Sequence, residues 1–262
     1  MRKIIGSVLF LFVCNTIVAQ TDTTKVSVKE LPVLFQQTAA EYRALCYQAF
    51  NLAQLRIDQV PKRKLRKEKL AIITDLDETI LDNSYSEAQL IKEGKEYSPQ
   101  SWKKWTDKSA ATSVPGAVEF LQYAKSKGIS IFYISNRDTT EIGSTITNLQ
   151  KLQLPDADSA HMLFMGKTSS KEERRMIVGS THNIIMLLGD NLNDFTKAFE
   201  KVAIAQRFVE TDNEKAEWGK KFIVLPNPSY GEWESAVYDY QRGLTPEQKA
   251  GMRRGKMKGI EF

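Results

Sequence analysis

Residues 70–77, LAIITDLD, run without a polar interruption until they reach a threonine and two aspartates. An unbroken apolar run of this length suits a strand covered on both faces. Two more runs have the same form, ISIFYISNR at 129–137 and NIIMLLGDN at 183–191, and a shorter one, HMLFMG, falls at 161–166. Between them the spacing changes to that of helices. PGAVEFLQYAKSKG places Pro115 at a first turn and Gly128 at a C-terminal stop. Helices are also expected over about 139–152 and from SSKEERRMIV. Upstream, Leu34, Tyr42, Leu45, Ala49, Leu52 and Leu55 recur at helical spacing and predict one long amphipathic helix over 30–58. Strands alternating with helices imply βαβ units, hence an α/β fold around a parallel sheet.

The polar motifs TDLDET, SNRD and GDNLND each stand where a strand is expected to end. Ligand crevices of open α/β sheets lie beyond the carboxyl ends of the strands, so the three motifs should converge on one site. The first motif opens a stretch with Asp75, Asp77, Glu78 and Asp82 within eight residues. If the strand continues through it, Asp75 and Asp77 point to the same side, and Asp190 can join them. Crowded carboxylates raise one another's pKa unless a cation offsets the repulsion. A magnesium ion, which binds few carboxylates and prefers substrate phosphate as a further ligand, meets the need. A carboxylate can also attack phosphorus and form an aspartyl-phosphate. Helix capping alone would use one acid and not four. The spacing also lacks the later acids and glycine of a calcium-binding EF-hand loop.

Composition narrows the picture. The chain has 262 residues and a formal charge of +5. Its densest basic runs, KRKLRKEK at 62–69 and RRGKMKGIEF at the end, read as solvated segments, and no nucleic-acid partner is expected. No internal repeat or low-complexity tract is visible. MRKIIGSVLFLFVCNTIVAQ has a basic start, an apolar core and a small residue at Ala19, the form of an export signal over residues 1–19. Cys14 offers lipidation as the other ending, which makes a lipid anchor the one expected route to the membrane. Periplasmic release and outer-membrane attachment both fit. Cys46 would then be the only thiol left, so no internal disulfide can form. The two histidines, His161 and His182, and two cysteines, Cys14 and Cys46, supply neither the RHG motif of histidine phosphatases nor the C-x5-R motif of cysteine phosphatases.

DLDET, ISNR, a helix-opening lysine and GDNLNDF together resemble the haloacid dehalogenase (HAD) superfamily of phosphatases. With WKKW, VPGAVEFL and LPNPSYGEWE, the chain is similar more narrowly to the class C bacterial acid phosphatases of the lipoprotein e(P4) 5'-nucleotidase family, from about residue 30 to about 245. The resemblance implies a HAD-like Rossmannoid three-layer fold, one domain over 20–262, with 30–60 and 226–250 forming a small helical lid. It makes Asp75 the nucleophile and a metal ligand. Asp77 becomes the general acid and base, with its backbone carbonyl on the metal. Ser135 and Asn136 would hold phosphoryl oxygens, and Lys171, preferred to Lys167, would neutralise their charge. Asp190 would be a ligand of Mg2+, and Asp194 a carboxylate behind it. Arg137 would bind phosphate or brace the acids, and Trp102 and Tyr230 would sandwich a base or aryl group. The implied activity is hydrolysis of nucleoside 5'-monophosphates, nicotinamide mononucleotide or aryl phosphates, with a mildly acidic optimum. A non-catalytic nucleotide- or nutrient-binding protein on the same fold is the alternative, and a homodimer is left open.

Overall fold

The computed structural model describes residues 27–260, so the expected export signal and Cys14 lie outside the described residues. Two helices, α1 (Glu30–Thr38) and α2 (Ala40–Asp58), and the short basic helix α3 (Lys62–Lys67) precede strand β1 (Leu70–Thr74). An antiparallel pair, β2 (Leu81–Asp82) and β3 (Thr112–Ser113), brackets α4 (Ser84–Lys92) and α5 (Pro99–Thr106). There follow α6 (Ala117–Ser126), β4 (Ser130–Asp138), α7 (Ile142–Lys151), β5 (Met162–Met165), α8 (Glu172–Gly179) and β6 (Asn183–Gly189). The last elements are α9 (Ile204–Asn213), β7 (Phe222–Val224), α10 (Glu232–Val237) and α11 (Pro246–Lys256).

The five-stranded sheet has the order β5-β4-β1-β6-β7, and every neighbouring pair is parallel. The three long apolar runs occupy its centre, which is why each lacks a polar face. Alternation along them feeds two cores. Leu70, Ile72, Ile131, Tyr133, Met186 and Leu188 pack with residues of α2 and α6. Ala71, Ile73, Phe132, Ile134 and Leu187 pack with Val178 of α8 and with Phe195. Helix–sheet–helix layering is therefore the expected α/β architecture. Strand β7 has no counterpart in the sequence pattern, since three residues are too few to show a period.

The helix expected over 30–58 is two. Ala39 is extended, with φ −77° and ψ 124°, and Thr38 turns its hydroxyl back to the Leu34 carbonyl at 2.6 Å. The break sends the two helices to different partners. Gln36 and Gln37 of α1 reach Asp82 at 2.8 Å and Ser84 at 3.1 Å. α2 instead lies on the sheet and buries Tyr42, Cys46, Phe50, Ala53 and Ile57. The expected apolar stripe holds only in part: Tyr42 is buried and Ala49 and Leu52 pack against the core, but Leu34, Leu45 and Leu55 are exposed. Steps of four, four, three and four residues from Tyr42 define the true face, and leucine positions obscure it. α2 is thus a layer of the core, and no residue of α1 or α2 lines the cavity over the strand ends.

Gly116 precedes α6 at φ +90°, and a Cβ there would lie 3.1 Å from the rings of both Phe50 and Tyr47. α2 and α6 approach closely because that position carries no side chain.

Replacing Phe50 with alanine should cost about 3–5 kcal/mol of unfolding free energy. Leu45→Ala, on the exposed face of the same helix, should stay within about 0.5 kcal/mol. Urea titrations of the two variants check which stripe is the buried one.

Candidate active site

β1 ends at Thr74, one residue before the first aspartate. The Asp75 N–H still donates to Leu188 O at 3.0 Å, which holds the residue against β6. Beyond it the chain turns tightly: Leu76 enters the core, its carbonyl accepts from Ile80 N and Leu81 N, and Glu78 takes a left-handed φ of +56°. Asp75 and Asp77 both line the pocket, as expected, but a loop and not a strand alternation presents them. The other two acids face away. Glu78 accepts from Asn83 N at 2.9 Å, and Asp82 accepts from Ser84 N at 2.9 Å and from Gln36. Four acids therefore divide into two for the site and two for the turn.

Lys171, at the start of α8, places its Nζ 2.7 Å from Asp75 Oδ1 and 2.7 Å from Asp194 Oδ1. The three side chains are only 13%, 6% and 5% exposed in the order Asp75, Lys171, Asp194. Lys167 is exposed and contributes nothing to the pocket wall. Asp194 also accepts from Asn191 N at 3.0 Å, within a reciprocal cap that closes the turn after β6. Gly189 lies beneath it, and a methyl group there would overlap the Asp194 carboxylate. Asp190 is held through both oxygens, by the Thr79 hydroxyl at 3.1 Å and the Asn227 amide at 2.8 Å.

One carboxylate oxygen from each of Asp75, Asp190 and Asp194 lies within 4.8 Å of the others. Burial pushes Asp75 up to about 7, although Lys171 pulls the other way, and Asp194 and Asp77 add repulsion. Burial drives Asp190 well above the usual carboxylate range, again with Asp194 and Asp75 repelling it. Hard oxygen donors without histidine or thiolate fit a hard divalent cation, whose charge would relieve this repulsion. The Asp77 carboxylate is not in this group.

Asp77 is oriented from two sides. Arg137 donates through Nε at 3.1 and 3.2 Å and through Nη2 at 2.7 Å. Asn83 Nδ2 donates at 2.9 Å, and Trp105 Nε1 fixes Asn83 through its Oδ1 at 2.7 Å. Arg137 spends its remaining nitrogen on Thr145 at 2.9 Å, so each of its three nitrogens has a protein partner while the residue lines the cavity. Ser135 and Asn136, at the end of β4, face the same cavity. Arg174 anchors them: Nη1 donates to Ser135 O at 2.7 Å, and Nη2 to Asn136 Oδ1 at 2.6 Å and Ser170 O at 3.0 Å. The sequence reading missed Arg174, because a cation in KEERR looks like part of a solvated helix face; here it is 8% exposed. It also passed over Asn227, although that residue sits inside the LPNPSYGEWE motif.

The cavity over these groups measures about 680 Å³. Trp102 and Tyr230 both line it, as expected, and Tyr97 joins them with its ring 6.3 Å from that of Trp102. The Arg137 guanidinium lies 5.5 Å from the Trp102 ring. Lys29, just before α1, pairs with Glu87 at 2.8 Å and stands 5.6 Å from the Tyr230 ring, and all three line the cavity. His161 and His182 sit apart from the site, each 5.0 Å from the ring of Phe132.

The family model for HAD superfamily, subfamily IIIB (acid phosphatase) matches residues 13–233. A solved structure of the class C acid phosphatase from Bacillus anthracis is 41% identical with a TM-score of 0.84, over 89% of this chain and 98% of that one. Another, of the class C acid phosphatase from Bacillus anthracis with tungstate bound, is 40% identical with a TM-score of 0.86, over 91% and 100%. The family model spans most of the chain and both solved structures are matched over nearly their full length, and this chain belongs to the acid phosphatases of HAD subfamily IIIB, hydrolases of phosphomonoesters.

Proposed function

We propose that this acid phosphatase is an exported, magnesium-dependent enzyme that hydrolyses nucleoside 5'-monophosphates, nicotinamide mononucleotide and aryl phosphates through an aspartyl-phosphate on Asp75. The observation that carries the reading is Lys171, held 2.7 Å from both Asp75 and Asp194 beside Asp190 in one cavity. Asp75, Asp190 and the Asp77 backbone carbonyl would hold the ion, with Asp194 behind them. When bound, magnesium supplies positive charge to the phosphoryl oxygens and keeps Asp75 ionised.

The chain's own groups account for the rest. Ser135, Asn136 and Lys171 bind the phosphoryl oxygens, whose charge develops in a largely buried setting where fixed donors act strongly. An Asp75 oxygen bonds to phosphorus while the bond to the leaving oxygen breaks, and Asp77 gives that oxygen its proton. Asp77 then takes a proton from water as the water oxygen attacks phosphorus; the bond to Asp75 breaks and inorganic phosphate leaves. Arg137 and Asn83 keep the Asp77 carboxyl aimed at both proton transfers. Trp102 and Tyr230 offer flat faces to the leaving group, a form of recognition that tolerates different bases. Residues 1–19 have the form of a signal for export, and Cys14 is the residue a lipid anchor would use.

Three outcomes follow. Asp75→Asn should lower phosphate release from p-nitrophenyl phosphate by about 10⁴-fold or more, while circular dichroism shows the parental fold. Chelation should abolish release at mildly acidic pH, and added magnesium should restore it; activity that survives the chelator would refute the metal requirement. Tyr230→Ala should reduce kcat/KM for adenosine 5'-monophosphate by about 5- to 150-fold, the loss of one stacking contact. A small alkyl phosphate should change by less than about twofold, and equal losses on both substrates would remove Tyr230 from leaving-group recognition.

A further inference from the structure

Asn227 is absent from the cavity wall yet touches both of its halves. Its Nδ2 donates to Asp190 Oδ2 at 2.8 Å. Its Oδ1 accepts from Ser229 N at 2.9 Å and from Tyr230 N at 3.3 Å. Only one orientation of the amide satisfies these partners, because a flip would face oxygen with carboxylate and NH₂ with two N–H groups. Around it the turn is braced further: Pro228 restricts φ, Ser229 is buried, and Trp233 Nε1 donates to Tyr230 O at 3.1 Å.

We infer that Asn227 is a positioning residue that sets the Asp190 carboxylate with one end of its amide and the Tyr230 ring with the other. The inference rests on the proposed reading of Asp190 as a cation ligand and Tyr230 as a wall of the leaving-group site. Thr79 already holds the other Asp190 oxygen, so the Asn227 amide completes the pair of donors that fix that carboxylate. Partners of this kind, which orient a ligand without touching the ion, typically govern metal affinity by 10- to 100-fold. The acceptor end does different work. Asparagine bonding to the backbone two residues on makes a turn that serine reproduces more weakly with its hydroxyl. Serine, being shorter, does not reach Asp190.

Two variants therefore separate the two ends. Calorimetric titrations of Mg2+ and, separately, of adenosine into metal-free protein provide readouts that need no turnover. Asn227→Ser should weaken Mg2+ binding about 10-fold while adenosine binding stays within about twofold of the parent. Asn227→Ala should weaken Mg2+ equally and adenosine by at least about fivefold, part of a stacking contact. Parental affinities for both ligands in Asn227→Ala would overturn the inference. So would parallel loss of both ligands in both variants with a matching drop in melting temperature, the mark of a merely structural role. Titrations of the parent and of Tyr230→Ala guard the underlying reading. If the parent takes up no Mg2+, or Tyr230→Ala binds adenosine as the parent does, the site reading falls and takes the coupling with it.

Discussion

A single ammonium group, Lys171 Nζ, stands between two carboxylates in the interior, and the rest of the site is arranged around that charge. Buried ions are costly unless paired and hydrogen-bonded, and removing one partner of such a group typically costs about 3–5 kcal/mol. Here the lysine comes from the start of α8, Asp75 from the end of β1, and Asp194 from the turn after β6. Three elements distant in sequence are thus fastened at one point, above the middle of the sheet. The cation expected beside them would add a second positive centre to a cluster in which burial otherwise disfavours ionised acids.

Outside that centre, arginines do the holding. Arg137 uses all three of its nitrogens on Asp77 and Thr145, and Arg174 ties the end of β4 to the segment before α8. Both guanidiniums use several donors in fixed directions, which lysine at the same positions would not reproduce. Groups expected to meet phosphate are therefore positioned before any substrate arrives, which is the condition for electrostatic stabilisation of developing charge.

Much of this was legible in the chain. Unbroken apolar runs marked the central strands, and the polar clusters at their ends marked the crevice, because a parallel sheet covered on both faces leaves few other places for charge. Lys171 was separable from Lys167 by its place at a helix start. Less visible were features whose signal is shared with ordinary structure. Arg174 looks like any cation in a charged helix until its burial is seen. Glu78 and Asp82 resemble Asp75 and Asp77 in sequence, and only the turn at Leu76 and Glu78 assigns them to the scaffold. The α2 stripe is legible only in part, because leucines advertise an apolar face more loudly than Cys46, Phe50 and Ala53. The division at Ala39 carries no proline or glycine to announce it; α1 and α2 part where their packing partners differ.

Asp194 closes its own turn through Asn191 N, accepts Lys171, and rests on Gly189. Its carboxylate is hemmed in on three sides, so the distance from its backbone to the lysine is set by a side chain with a single methylene. Glutamate would keep the sign of the charge and still arrive one carbon too far along. In this corner of the molecule reach is as exacting a requirement as charge, and residues that are chemical cousins are not spare parts for one another.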